Sequence, residues 1–472
     1  MWTSINQALN IIDNFVWGVP LMVLIIAGGL LLTIRLGLLQ IRKLPLALKW
    51  MLQNEEGGKG EISSFSALCT ALSATIGTGN IVGVATAVCA GGPGALFWMV
   101  VAAFLGMATK YSEGLLAVKY RTVAEDGHSL GGPFYYIELG MGKKFKWLAK
   151  IFAFFGVCVG LFGIGTFSQV NGISSAVHGF FDPNDAFTVK ILPFLGEYSW
   201  SVVIASLILS FCVAAVLIGG VKRIASVSQI IVPFMAVIYF VFAVILICCN
   251  ITKVPAAFAT IVTAAFSPKA ITGGAVGSML IAMQKGVARG IFSNEAGLGS
   301  APIAAAAAQT NSPVRQGLVS MTGTFIDTII ICTLTGLSIV LTGAWQVEGL
   351  EGVQVTTYAF QHGLPIPGQI SAFVLMICLV FFAFTTILGW DYYSERCLEY
   401  LTNGHKKTIL TYRWLYILAV FIGPYMTVSA VWTIADIFNG LMAIPNMIAL
   451  FALSGVIVKE TKAFFVAEKH KM

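Results

Sequence analysis

Ser73-Ala74-Thr75-Ile76-Gly77-Thr78-Gly79-Asn80-Ile81-Val82-Gly83 sits inside an apolar run, Ser63–Thr109, that contains no Asp, Glu, Lys or Arg. A run of this length in lipid must be helical, because every backbone amide there has to be paired within its own segment. Yet two glycines flank a threonine and an asparagine follows, and glycine costs about 1 kcal/mol in a helix interior relative to alanine. The spacing predicts an unwound point at residues 77–79, at mid-membrane depth. Unwinding frees N–H and C=O groups that are costly against hydrocarbon, so they must face protein or a cavity. The half-helix that begins there offers N–H groups and partial positive charge to an anion. The half that ends there offers carbonyls to a cation. One interruption thus predicts a carboxylate site beside a sodium site. Close helix packing through Gly79-x-x-x-Gly83 is the plainer alternative. A dinucleotide fingerprint fails, because Val82 stands where G-x-G-x-x-G needs glycine.

The rest of the chain is written for the same solvent. Of 472 residues, 57% are hydrophobic and 10% charged, with a mean hydropathy of +0.87. A soluble domain carries about 25% charged residues. Charge-free blocks recur at Val16–Ile34, Ile151–Val177, Ser199–Val221, Ile224–Thr252, Gly352–Trp390, Trp414–Ala435 and Ile437–Val458. A helix needs about 20 apolar residues to cross a bilayer. Continuous runs exclude a β-barrel, whose strands alternate. The reading is an all-α membrane protein with eleven spans near 16–34, 63–90, 94–119, 148–178, 199–217, 226–249, 272–300, 316–342, 370–395, 412–428 and 434–458. No cleavable signal is evident, since the first apolar block continues to spanning length.

Basic residues set the orientation. With the N-terminus outside and the C-terminus cytoplasmic, inner loops hold 22 of the 28 Lys and Arg, and outer segments hold Lys190, Lys253 and Lys269. The net charge of +7 therefore reports topology and no nucleic-acid partner. After the first span, ten remain. They divide into five within 63–250 and five within 272–458, behind an N-terminal unit 1–62. An extracellular connector 251–271 joins the halves, and a cytoplasmic tail 459–472 follows. An odd number per half forces the second to enter the membrane inverted, as in many transporters with broken helices at matching positions.

The matching break is expected at Gly290–Phe292, within Gly286-Val287-Ala288-Arg289-Gly290-Ile291-Phe292-Ser293-Asn294-Glu295-Ala296-Gly297-Leu298-Gly299. Arg289 and Glu295 are expensive in a span unless paired, and an ion pair between them at the cytoplasmic end is expected. Asp327, a lone acid in the eighth span, is a functional candidate by the same rule. Asp391 and Glu395 are expected to pair with Arg396 or loop bases, and Lys110 and Glu113 to lie near an inner helix end. Thr386 and Trp390 are four apart and share a helix face. Gln169 lies in the polar run Thr166–Asn171, where polar glue between helices is the plainer reading. The nine cysteines lie mostly in apolar blocks without C-x-x-C and read as small buried apolar residues. The five histidines fall in or near loops, so a histidine metal site is not expected.

Three stretches resemble the sodium:alanine/glycine symporter family: Ile76-Gly77-Thr78-Gly79-Asn80-Ile81-Val82-Gly83-Val84-Ala85, Gly91-Gly92-Pro93-Gly94-Ala95-Leu96-Phe97-Trp98-Met99 and Ser293-Asn294-Glu295-Ala296-Gly297-Leu298-Gly299-Ser300-Ala301-Pro302. Gly389-Trp390-Asp391 is similar too. The resemblance implies a leucine-transporter architecture, one N-terminal helix plus a 5+5 inverted repeat with two discontinuous helices. It implies an alanine- or glycine-sized substrate coupled to sodium in a bacterial or archaeal inner membrane. Carried over, the substrate carboxylate would meet Thr78, Gly79 and Asn80 with Gln169 nearby, and the ammonium would meet carbonyls at the second break and Thr386. Phe292 and Trp390 would wall the side-chain pocket. Sodium would take carbonyls of Ser73 and Ile76 and hydroxyls of Thr385 and Thr386.

A sodium symporter without organic cofactor, surrounded by lipid and with no obligatory protein partner, is the leading reading. A proton-coupled permease for another small neutral amino acid, working through Asp327, is the alternative. A channel would need a symmetric ring of carbonyls or charges. An intramembrane enzyme finds no His/Glu metal set or G-x-S-x-G elbow.

Overall fold

The computed structural model describes residues 2–469 except 54, 56, 57, 59, 125, 126, 191–196, 267–274 and 427. The first residues of the seventh span, the end of the 251–271 connector, Lys59, Lys269 and the last three residues of the tail lie outside them.

The chain begins with α1 (Trp2–Val16), α2 (Val19–Arg35), α3 (Leu39–Arg42) and α4 (Leu44–Met51). α5 (Ser64–Thr75) starts where the Ser63 hydroxyl accepts the Ser66 N–H at 3.1 Å, a side-chain cap for a donor with no helical partner. A π-helical turn, Gly79–Gly83, leads into α6 (Val84–Gly91), and Gly92-Pro93 turns the chain into α7 (Gly94–Lys119). A short hairpin follows, β1 (Thr122–Val123) antiparallel to β2 (Ser129–Leu130). After α8 (Pro133–Tyr135), the expected fourth span divides into α9 (Lys146–Phe162) and α10 (Phe167–Phe181). Glycine at 165 explains the division: a Cβ there would stand 2.6 Å from the Gly160 oxygen and 2.7 Å from the Trp390 Cβ. A second hairpin, β3 (Thr188–Lys190) with β4 (Glu197–Ser199), leads into α11 (Trp200–Leu217) and α12 (Gly220–Cys249).

The connector contains a helix that sequence reading missed, α13 (Val254–Phe266). Its apolar residues were too few for a span and lacked a polar face. Then come α14 (Ala275–Asn294), α15 (Ala301–Ala305) and α16 (Pro313–Thr324). α16 runs through a π-helical stretch, Phe325–Cys332, into α17 (Thr333–Thr342). α18 (Val353–Gly363) is a separate helix, α19 (Gly368–Thr402) and α20 (Lys406–Ile422) follow, and α21 (Val428–Lys469) closes the chain.

Seven helical segments among the described residues are long and apolar enough to cross a membrane, and α5 with Gly79–Gly91, bent by 50°, makes an eighth. The expected spans near 16–34, 272–300 and 412–428 correspond to α2, α14 and α20, which are shorter or more polar. α14 packs on α7 and α6, α16 on α7, and α19 on α5, α9, α10 and α12. The outer faces are apolar: Phe211 on α11 and Ile230, Phe234 and Val237 on α12 are all exposed. Such a surface has lipid as its natural solvent. The chain is a multi-pass membrane protein. Cys69, Cys332, Cys378 and Cys397 are buried as expected, whereas Cys89, Cys212, Cys248 and Cys249 are exposed on this apolar exterior.

Candidate functional site

α5 stops at Thr75, and Ile76 is extended (φ −79°, ψ 91°). The helix is interrupted where the glycines predicted, and side chains satisfy the freed backbone. The Gly77 N–H donates to Asn80 Oδ1 at 2.9 Å, and the Thr78 N–H donates to Gln169 Oε1 of α10 at 3.0 Å. From α19, the Thr386 hydroxyl lies 3.3 Å from the Ile76 oxygen and 3.0 Å from the Phe382 oxygen. Gly77 is crowded by both neighbours: a Cβ there would stand 2.5 Å from Thr386 Oγ1 and 2.8 Å from Gln169 Oε1. Thr78 is fully buried, and its hydroxyl has no hydrogen-bond partner among the described residues. A buried orphan of this kind is costly unless something else pairs with it.

Asn80 ties the break to Asp327. Its Nδ2 donates to Asp327 Oδ1 at 2.7 Å. Asp327 Oδ2 accepts Ser293 Oγ at 2.9 Å and Thr328 Oγ1 at 2.6 Å. Asp327, Ser293 and Thr328 are fully buried, so this carboxylate joins α5/α6, α14 and α16/α17 at one point. It stands in the π-helical stretch Phe325–Cys332, and such stretches are frequent at functional sites.

The second interruption is displaced from its expected place. α14 continues through Gly290–Phe292 to Asn294, and the chain unwinds over residues 295–300. Glu295, Gly297 and Gly299 there have φ of +57°, +91° and +81°. The segment is held by α7 and α19. Lys110 Nζ donates to the Asn294 oxygen at 2.7 Å, and Glu113 Oε1 accepts the Gly297 N–H at 3.1 Å. Asn446 Nδ2 bonds Glu113 Oε1 at 2.6 Å and the Gly297 oxygen at 2.9 Å, while its Oδ1 accepts from Tyr136. The Glu295 carboxylate accepts Trp390 Nε1 at 2.7 Å and the Ser300 hydroxyl at 2.6 Å.

The expected Arg289–Glu295 pair is therefore replaced. Arg289 makes a two-pronged ion pair with Asp436 of α21, at 2.9 and 2.7 Å. Helical spacing explains this: six residues separate 289 and 295, and the helix ends between them. Lys110 and Glu113 are not at an open helix end but fully enclosed. Glu395 pairs with Arg413 at 2.6 and 2.7 Å, and Arg396 pairs with Glu399 at 2.5 Å.

Thr78, Gly79, Asn80, Gln169 and Thr386 thus converge on the first break. Phe292 joins them, its Cδ1 lying 3.4 Å from where a Cβ on Gly79 would stand. Trp390 is one turn further along α19 and serves the second break through Glu295. Of the four residues expected to hold sodium, the Ile76 oxygen and the Thr386 hydroxyl adjoin. The Thr385 hydroxyl returns to the Phe381 and Phe382 oxygens at 3.1 and 3.0 Å; at Ser73 the expected ligand is the carbonyl, while its hydroxyl bonds the Thr70 oxygen at 2.8 Å. Hydroxyls in membrane helices commonly turn back this way. Sequence reading missed Ser293, Thr328, Asp436 and Asn446. Asp436 stood two residues into the last span and Asn446 in its middle, so a polar residue inside an apolar run was the available signal.

The profile of the sodium:alanine symporter family matches residues 2–472. The chain is 47% identical over 470 residues to the sodium/alanine symporter AgcS of Methanococcus maripaludis, covering 98% of each chain. It is 55% identical over 463 residues to an uncharacterized transporter of Haemophilus influenzae, covering 98% of this chain and 96% of that one. The crystal structure of MhsT in complex with L-phenylalanine matches with a TM-score of 0.54 and 12% identity, over 86% of this chain and 100% of that one. At that identity the likeness speaks for the fold alone, that of the leucine transporter. From the interrupted helix outward, and over its whole length, the chain belongs to the sodium:alanine symporter family, a family of transporters and not of enzymes.

Proposed function

We propose that this protein imports a small neutral amino acid, alanine or glycine, by sodium-coupled symport with alternating access. The observation that carries the reading is the break at Ile76–Thr78, where a fully buried threonine hydroxyl stands unpartnered among the described residues. The half-helix beginning at Gly79 presents its dipole to a carboxylate. Thr78, Gly79 and Asn80 receive that carboxylate, with Gln169 fixing the Thr78 amide. Thr386 and carbonyls near Asn294 receive the ammonium. Phe292 and Trp390 limit the side chain, which favours substrates of alanine size. Sodium binds at the Ile76 carbonyl and Thr386 hydroxyl, with Ser73 and Thr385 adjacent. Around this site we envisage eleven spans, one plus two inverted sets of five, with the N-terminus outside in a bacterial or archaeal inner membrane. The family and the 47% identical sodium/alanine symporter support the same direction.

The test is uptake of labelled alanine into proteoliposomes. An inward sodium gradient should drive accumulation, and excess unlabelled glycine should compete. Accumulation that ignores sodium would remove the reading.

A second reading has its own observation. Among the described residues the hydrogen-bond donors on the Asp327 carboxylate, Asn80, Ser293 and Thr328, are all neutral, and the Lys110 cation acts on it only through its charge. A buried carboxylate in such a setting either faces a cation or takes up a proton. Proton coupling through Asp327 predicts that an inward pH gradient alone drives alanine accumulation, and that Asp327→Asn abolishes it.

A further inference from the structure

Far from the break, α2, α3 and the end of α21 enclose a groove of about 450 Å³ with a mixed lining. Arg35, Arg42, Lys43 and Lys462 line it. Aliphatic side chains line it too, with Ile34 and Val466 largely exposed, 67% and 56%. No Asp or Glu lines the groove. Backbone geometry brings the cations together: Gly37 and Leu38 both have positive φ, +63° and +55°. Beyond this turn Arg42 and Lys43 line the same groove as Arg35. A leucine in the left-handed region is unfavourable, so the turn is retained against a local cost.

Among the described residues, the company of Arg35, Arg42 and Lys43 is neutral. Arg35 donates to Ser454 Oγ at 2.6 Å, Arg42 donates to the Gly37 oxygen at 3.2 Å, and the Lys43 ammonium lies 4.2 Å from the Phe465 ring centroid. None of the four cations forms an ion pair among the described residues. Nearby Glu460 is taken by Lys119 at 2.7 Å. Like charges held together without a counter-charge repel, and a bound anion relieves that repulsion.

We propose that this groove binds the phosphate headgroup of an anionic phospholipid, with an acyl chain against its exposed aliphatic side chains. Basic pockets between helices at the membrane surface suit such headgroups. The exposed Ile34 and Val466 decide between lipid and a soluble phosphate, because a free anion has no use for apolar side chains. The groove also joins the first helical hairpin to the last helix, so an occupant would tie the two ends of the fold together.

The experiment uses the full-length protein in detergent, with binding read by native mass spectrometry and by melting temperature. The probes are phosphatidylglycerol, phosphatidylcholine and inorganic phosphate. Phosphatidylglycerol should bind and raise the melting temperature, while phosphatidylcholine and phosphate should not. Each surface charge contributes about 1 kcal/mol, roughly a fivefold change in affinity. The triple variant Arg42→Gln, Lys43→Gln, Lys462→Gln should therefore lose nearly all specific binding. A control variant with Lys143→Gln, Lys144→Gln and Lys150→Gln should retain it. Should the triple variant fail to fold, Lys462→Gln alone must still weaken binding roughly fivefold. Equal binding in wild type and variant, an equal loss in the control, or stabilisation by phosphate alone would each overturn the proposal.

Discussion

At the scale of single residues, Thr78 is the most informative position. Its amide is paired with Gln169, but its hydroxyl is buried without a partner among the described residues. Replacing a buried, unpaired polar group with an apolar isostere is near neutral or stabilising. Thr78→Val should therefore keep or slightly raise the melting temperature of the purified protein. If the hydroxyl serves the substrate, the same variant loses one hydrogen bond to a carboxylate, about 1.5 kcal/mol, or roughly tenfold in alanine affinity. Calorimetric titration with alanine alongside a thermal melt separates these effects. Unchanged affinity would dismiss Thr78 as a substrate contact, whatever the stability. Asn80 differs, because its amide is already spent: Oδ1 receives the Gly77 N–H and Nδ2 serves Asp327. The sequence suggested that Asn80 touches substrate; in the structure its side chain holds the break in shape, and its backbone N–H donates to the Gly77 oxygen at 3.2 Å.

At the scale of elements, the two interruptions show what glycine says and what it leaves open. The first was legible because Gly77-Thr78-Gly79 concentrates poor helix formers in mid-span, well before the turn at Gly91–Gly94. The second was misplaced because α14 carries glycines of two kinds. Gly286 and Gly290 let α14 lie against α7: a Cβ on Gly286 would stand 2.1 Å from the Ala95 oxygen, and one on Gly290 3.1 Å from Met99 Cγ. Gly297 and Gly299 instead adopt positive φ. A glycine needed for close approach and one needed for a left-handed turn look identical in a sequence. The difference becomes measurable by substitution. Gly290→Ala meets only a flexible methionine and should cost under about 1 kcal/mol. Gly299→Ala combines φ +81° with a Cβ 2.7–2.8 Å from Pro133, Asn446 and Phe152. It should cost about 3 kcal/mol and largely abolish alanine uptake. Thermal melts of the two variants, compared with wild type, check the ranking. Similar losses would return the second break to residues 290–292.

At the scale of the whole molecule, two sets of long-range ties join parts of the chain far apart in sequence. In one, Arg289 of α14 grips Asp436 of α21, and Trp17 donates to the Asp436 oxygen at 2.6 Å. In the other, Arg121 donates to the Ala308 oxygen at 2.8 Å and the Thr310 oxygen at 2.5 Å, and His128 meets Glu399 at 2.9 Å. The distribution of Lys and Arg lets a membrane topology be proposed from sequence, since that reading depends only on which loops are basic. These ties were not readable, because Arg289 and Asp436 are 147 residues apart and no local pattern links them. A transporter must release one set while keeping the other, so the Arg289–Asp436 pair should act as a latch and not as a source of stability alone. Removing one partner strands a buried charge, at about 3–5 kcal/mol, whereas removing both avoids that penalty. Arg289→Gln should therefore melt well below wild type, and Arg289→Gln with Asp436→Asn should recover most of the loss. For a latch, recovered stability is not recovered function. The double variant should still bind alanine, while its sodium-driven accumulation falls severalfold because the site no longer seals on that side. Accumulation restored together with stability would reduce the pair to a structural tie.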